Sequence, residues 1–163
     1  MTSVNLIELM AQQNFYFWEN FLKTKKISSN MITILEDNIT TTEELEQVQI
    51  ALLSSMGENL IQYFADSRYN AQQMKQIRLG LTHTAKERRT LVKLYCNPRF
   101  SAEQMEQIRL GIENGLNIPQ LKDFANENLN ATSMKERRET FEKTNQKAIL
   151  RSLLKKLKGN EGD

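Results

Sequence analysis

The stretch Asn70-Ala-Gln-Gln-Met-Lys-Gln-Ile-Arg-Leu-Gly-Leu81 recurs 31 residues later as Ser101-Ala-Glu-Gln-Met-Glu-Gln-Ile-Arg-Leu-Gly-Ile112. Self-similarity at such a period marks a chain built from stacked structural units. With Met74 and Met105 as anchors, two weaker copies align: Thr41-Thr-Glu-Glu-Leu-Glu-Gln-Val-Gln-Ile-Ala-Leu52 around Leu45, and Asn130-Ala-Thr-Ser-Met-Lys-Glu-Arg-Arg-Glu-Thr-Phe141 around Met134. The four anchors stand 29, 31 and 29 residues apart, so the array occupies the body of the chain.

Each copy opens on a residue suited to cap a helix: Thr41, Asn70, Ser101 and Asn130. Their side-chain oxygens can accept from backbone N–H groups two or three residues on, which otherwise lack partners. Glu44, Gln73 and Gln104 stand three residues later, where a capping box places its return contact. Apolar residues follow at offsets 0, +3 and +7 from the anchor, as in Met74, Ile77 and Leu81, which is one helical stripe. Each copy is therefore predicted to begin with an amphipathic helix. Offset +6 is Ala51, Gly80, Gly111 or Thr140. A glycine inside a helix costs about 1 kcal/mol against alanine, which points either to close approach of a neighbouring helix or to fraying near a terminus. Gly115 reads as a helix stop.

Between copies lie Gly57–Phe64, Lys86–Tyr95 and Ile118–Phe124, each with apolar residues at helical spacing, each ending on an aromatic and then a small residue and a polar turn. The unit is helix, turn, shorter helix, turn. No copy alone can bury its stripe, but stacked copies can. Met31-Ile-Thr-Ile-Leu35 resembles the short helix of a leading unit whose long helix is Val4–Lys23. The predicted fold is all-α: tandem helix-turn-helix repeats forming a small solenoid or a compact helical bundle. It divides into an aromatic amino-terminal helical cap (1–39), four repeats starting near 41, 70, 101 and 130 (40–146), and a basic amphipathic helix with a frayed tail (147–163).

The cap carries Phe15, Tyr16, Phe17, Trp18 and Phe21, five of the twelve aromatics. Aromatics all round a helix cannot all face one neighbour, so the segment is either buried on two sides or exposes a patch for a partner or self-association. Charge separates the two ends: residues 1–50 hold three Lys against seven acids, whereas Lys135–Lys158 holds nine Lys and Arg against three Glu. Within that basic end, Ile149, Leu150, Leu153, Leu154 and Leu157 form a narrow apolar face flanked by Lys147, Arg151, Lys155, Lys156 and Lys158. Such a helix can dock on the body with its charges solvated, contact nucleic acid or an acidic partner, or lie on a membrane surface.

Arginine recurs at offset +4 as Arg78, Arg109 and Arg138, with Gln49 in the first copy. A ladder of guanidinium groups there could bind acidic side chains or phosphates, or pair internally with acids of a neighbouring unit such as Glu103, Glu106 or Asp66. The doublets Arg88-Arg89 and Arg137-Arg138 add to whichever basic surface exists.

Catalytic chemistry has little to work with. One histidine, His83, and one cysteine, Cys96, lie in different segments, with no second ligand at zinc spacing and no glycine-rich phosphate loop. Cys96 occupies the place of Ala65 and Ala125 and reads as a small buried residue rather than a reactive thiol. His83 reads as a solvated turn residue. Neither a cofactor, a metal site nor catalytic residues are expected. Residues 1–8 lack a charged leader and no apolar run approaches the ~20 residues that span a bilayer, so no membrane partner is expected.

The residues Ser101–Asn117 with Ile118-Pro-Gln-Leu-Lys-Asp-Phe-Ala125 resemble a short helical repeat of the form FNAEQMEQIRLGLENGLDVSxYA, found in proteins of Gram-positive bacteria and their plasmids, phages and integrated elements. The likeness is close from Tyr63 to Ala125 and weak over Thr41–Leu52 and beyond Asn130. It implies a bacterial, cytoplasmic, mobile-element setting and carries over no catalytic residues. The expected function is a non-enzymatic protein-binding module, with inhibition of a host defence nuclease as one specific form. The alternative is direct nucleic-acid binding through the arginine side and the basic carboxy-terminal helix.

Overall fold

All four predicted caps start helices. The computed structural model describes the backbone of residues 3–83 and 86–161 and the side chains of residues 5–82 and 88–160. Thr41 caps α3 (Thr42–Leu53) and Ser101 caps α6 (Ala102–Glu113), both with complete capping boxes. Asn70 caps α5 (Ala71–His83), its Oδ1 accepting from Gln73 N at 2.8 Å while Gln73 Oε1 accepts from Asn70 N at 2.9 Å. Asn130 caps α8 (Ala131–Glu161) by accepting from Ser133 N, but serine there is too short to answer.

Shorter helices alternate with these: α2 (Ser29–Asn38), α4 (Glu58–Ile61), a 3-10 segment (Lys86–Leu94) and α7 (Ile118–Phe124). α4 is a single turn, and Gly57 at its start has no side-chain oxygen to cap it. α7 has Asn117 and Gln120 as a capping box, with Pro119 in its first turn. One turn follows the last three of these helices. Asp66, Asn97 and Asn126 each accept, through Oδ1, from the backbone N–H two residues on, in Arg68, Arg99 and Asn128. That local loop delivers the chain to the next cap each time.

Among the described residues no strand occurs, and the chain is all-helical. The long helices pack in chain order: α1 (Ser3–Lys23) on α3, α3 on α5, α5 on α6, α6 on α8. Leu45, Met74, Met105 and Met134 are fully buried, as are Val48, Ile77 and Ile108 one turn later. Burying side chains of this size contributes roughly 1.5–3 kcal/mol each. The glycines at offset +6 answer to close approach rather than to fraying. A Cβ on Gly80 would lie 2.1 Å from Tyr95 Oη, and one on Gly111 2.9 Å from Leu121 and 3.0 Å from Phe124. The room freed at Gly80 lets the Tyr95 hydroxyl donate to Gln76 O at 2.9 Å.

Gly115 (φ +84°) ends α6 as its position predicts, with Leu116 N donating back to Gly111 O. Ser55 (φ +59°) makes the same reversal after α3, with Met56 N bonded to Ala51 O. α1 is two helical pieces joined at Asn14 (φ −169°, ψ 86°), whose side chain caps the second piece by accepting from Phe17 N.

The expected boundary at residue 146 is not a break in the structure. α8 continues from the last repeat through the basic segment to Glu161, because no Gly or Pro stands between Ala131 and Lys158 to stop it. The expected frayed tail is helical through Glu161, and residues 162–163 lie outside the described residues. No described helix is long and apolar enough to cross a membrane.

Candidate functional site

The recurring arginines face inward between units. Arg78 Nε donates to Gln47 Oε1 at 2.9 Å, Arg109 Nε to Gln76 Oε1 at 2.9 Å and Arg138 Nε to Gln107 Oε1 at 3.1 Å. Each rung runs from offset +4 of one copy to offset +2 of the preceding copy. Arg78 and Arg138 are 7% exposed, and burial pushes the Arg78 guanidinium below its ordinary pKa. Arg109 and Arg138 also pair with Glu113 and Glu142 one turn on in their own helices, at 2.9 and 2.7 Å. The expected solvent-facing arginine ladder is therefore corrected. Offset +4 lies in the seam between long helices, and the partners are mainly glutamines rather than the acids Glu103 or Asp66, with Glu106 only 4.0 Å from Arg109.

These glutamines recur in register along the sequence. Offset +2 is Gln47, Gln76 and Gln107, and becomes the exposed Glu136 in the fourth copy, where no further unit docks. A second set of rungs comes from the capping-box glutamines. Gln73 Nε2 donates to Pro98 O and Phe100 O, and Gln104 Nε2 to Glu127 O and Leu129 O, tying each long helix to the turn that begins the next. Glu44 holds this place in the first copy and, as a carboxylate, accepts from Thr40 and Thr41 instead.

The other basic candidates scatter. Arg88 caps the carboxyl end of α6, donating to Ile112 O at 2.9 Å and Leu116 O at 2.8 Å. Arg89 is half-buried, with its Nε lacking a hydrogen-bond partner, beside Tyr63, Leu81 and Lys93. Arg137 is exposed and meets Asp123 at 3.4 Å. Lys155 and Lys156 are exposed on the distal half of α8.

That distal half is the most distinctive surface of the molecule. Every described residue from 146 to 160 is exposed, so the helix does not dock on the body. Ile149, Leu150, Leu153, Leu154 and Leu157 are each at least half exposed. At about 100° per residue these five cover an arc of roughly 140°. The body-facing side of the same helix, from Met134 through Arg138 to Phe141, is centred roughly 120° from the middle of that arc and meets it only at the Ile149 edge. Most of the distal stripe is thus offset from the intramolecular contact; Lys156 borders it on one side and Lys147 and Lys158 on the other.

At the opposite end of the row, the α1 aromatics divide. Trp18 is buried, and its Nε1 donates to Gln13 Oε1 at 2.7 Å; Gln13 in turn bonds Gln49, which makes a first, uncharged rung of the seam. Phe17 and Phe21 are half-buried and stack at 4.4 Å, with Phe17 edge-on to Trp18. Phe15 and Tyr16 are exposed, Tyr16 at 80%. Ile7, Met10, Ala11, Phe15, Trp18 and Leu22 line an open groove of about 310 Å³ on the side of α1.

Cys96 is half-buried and its thiol is pushed up to about 12 by burial, so it holds its proton at neutral pH. His83 is the last residue of α5 rather than part of a turn, and its side chain lies outside the described residues. Among the described residues no group of three His, Cys, Asp or Glu is placed to hold a metal ion. No family model matches the chain, and neither a curated protein nor a solved structure matches it.

Proposed function

We propose that this chain is a non-enzymatic protein-binding module: a short helical solenoid that holds out the distal half of α8 as its contact element. The observation that carries this is the stripe from Ile149 to Leu157, at least half exposed on a helix that runs unbroken from the last repeat. An amphipathic helix with anchors at i, i+3, i+4 and i+7 is the form that fits an apolar groove on a partner. Its lysine borders favour a groove rimmed by carboxylates. The likeness of Tyr63–Ala125 to repeats carried by mobile elements supports a cytoplasmic, bacterial setting and, as a specific form, inhibition of a host defence nuclease.

The test is capture of a stoichiometric partner, under nuclease treatment, by wild type and by a Leu153→Asp/Leu157→Asp variant. Both positions are exposed, so helicity and Tm should not move while capture falls at least about tenfold, a loss of about 1.4 kcal/mol or more. Undiminished capture by the variant would move the contact elsewhere.

Nucleic-acid binding is the second reading, favoured by the exposed Lys147, Arg151, Lys155, Lys156 and Lys158. With Arg78, Arg109 and Arg138 committed to the seam, it rests on this helix alone. It requires affinity that falls with salt at a logarithmic slope of up to about −4.5, as five phosphate contacts release counterions.

A further inference from the structure

We propose that the chain associates head to tail with a second copy of itself, the distal half of α8 from one molecule lying in the groove on α1 of the next. The proposal rests on the reading of α8 as a protein-binding helix and names the partner. Three observations carry it.

The first is that the two unpartnered apolar faces sit on the two end helices of one row. α1 packs on α3 and α8 on α6, so α1 lacks a preceding long helix where every other long helix except α8 has neighbours on both sides. Its outer side carries Ile7 (64% exposed), Phe15 and Leu22, with Met10 and Trp18 forming the floor of the groove. A long helix from another copy would stand to α1 as α1 stands to α3.

The second is charge. The α1 end belongs to the stretch with three Lys against seven acids, and the α8 end to the stretch with nine Lys and Arg against three Glu. Glu19 and Lys23 both line the groove and pair with each other at 3.4 Å, so the negative charge at this end comes from Glu8 and Asp37, which line the adjoining depression between α1 and α2. Lys156, Lys147 and Lys158 border the stripe that would enter. Two copies meeting α8 to α8 would oppose like charges, and two meeting α1 to α1 would oppose carboxylates; the crossed pairing brings unlike charges together.

The third is reach. The stripe from Ile149 to Leu157 spans about 12 Å along its helix, and the groove runs over both pieces of α1, with Ile7 and Met10 before Asn14 and Phe15, Trp18 and Leu22 after it. The contact cannot close within one molecule. Three long helices, α3, α5 and α6, lie between α1 and α8 in the packing order, and both faces are exposed together in the single chain.

A contact between different surfaces does not close after two copies unless its rotation happens to form a ring. Sedimentation velocity on the full chain should therefore show mass rising with concentration past the dimer, and falling back as salt screens the rims. Two variants decide the arrangement. Leu153→Asp/Leu154→Asp alters the helix end and Ile7→Asp/Leu22→Asp the groove end; all four residues are exposed, so helicity and Tm serve as folding controls. Each variant alone should be monomeric. Mixed in equal amounts they should form a dimer, because one intact groove meets one intact helix.

Persistent dimers of the Ile7→Asp/Leu22→Asp variant alone would establish an α8-to-α8 contact and overturn the proposal. So would a wild type that stays monomeric, or a mixture that does not pair. If the wild type stays monomeric while Leu153→Asp/Leu157→Asp still abolishes capture of a different protein, self-association is overturned and the protein-binding reading stands. Nucleic-acid binding lost on changing the leucines, with no self-association, would overturn both.

Discussion

Ser55 holds the same left-handed turn after α3 that Gly115 holds after α6, but with a side chain that this conformation disfavours by about 1–2 kcal/mol. Glycine loses more backbone freedom on folding, by roughly 0.5–1 kcal/mol. Ser55→Gly is therefore expected to stabilise by about 0.5–1 kcal/mol, read as a higher urea midpoint at unchanged slope. Gly80 makes the opposite case. Gly80→Ala drives a methyl to within 2.1 Å of Tyr95 Oη and should destabilise by about 1–3 kcal/mol. Tyr95→Phe removes that oxygen along with its bond to Gln76 O, so the double variant should be less damaged than the two single losses added together. An additive cycle would show that the hydroxyl is not what requires glycine. The +6 glycines announced a close approach in the sequence, but only the packed structure names Tyr95, Leu121 and Phe124 as what approaches.

At the scale of the helix, the seam between units is polar as well as apolar. Arg109→Met removes the donor to Gln76 Oε1 and the Nη1 group shared between both carboxylate oxygens of Glu113, in a site where the side chain is 12% exposed. It should cost about 2–4 kcal/mol. Arg137→Met, on the exposed side of α8 with its partner 3.4 Å away, should cost less than about 1 kcal/mol. Equal effects would deny the seam its role. Helix starts were legible because a cap is a local matter: Thr41, Asn70, Ser101 and Asn130 need only the next three residues. The seam was not, because a rung joins residues 31 or 33 positions apart. Offset +4 read alone looks like the edge of a stripe. The constancy of Gln47, Gln76 and Gln107 was the available signal, and its loss at Glu136 marked where docking ends. The unbroken α8 was likewise legible in the lack of Gly and Pro, though the rise in charge near residue 147 suggested a boundary.

For the whole molecule, the turns that follow the short second helices place acidic groups inside the fold in their protonated form. Burial raises the Tyr69 phenol from 10.0 and the Cys96 thiol from 9.0, each to about 12, and raises the Tyr95 phenol well above its ordinary value. The unfolded chain would lose these protons near pH 9–10 while the folded chain keeps them. Stability is therefore fully present below pH 9 and declines as pH rises toward 12, with proton release on unfolding. Urea midpoints taken at pH 8 and pH 10.5 should differ in that sense, and Cys96 should react slowly with thiol reagents at pH 8 until urea opens the fold. A rising midpoint would contradict the buried placement. The charge asymmetry between the ends, by contrast, could be read directly from the sequence, because it depends on composition and not on who touches whom.

The near identity of 70–81 and 101–112 has a kinetic side. In a chain still finding its contacts, α3 offers Gln47 to an arginine four residues past a methionine, and both Arg78 and Arg109 answer that description. Skipping a unit would satisfy the rung while looping out the segment between, a wrong pairing made of nearly right contacts. What tells the copies apart lies outside the repeated stretch: Tyr95 against Gly80 in one, Phe124 and Leu121 against Gly111 in the other. Proofreading of the order in which the helices assemble thus falls to the short second helices, the least conspicuous elements of the chain.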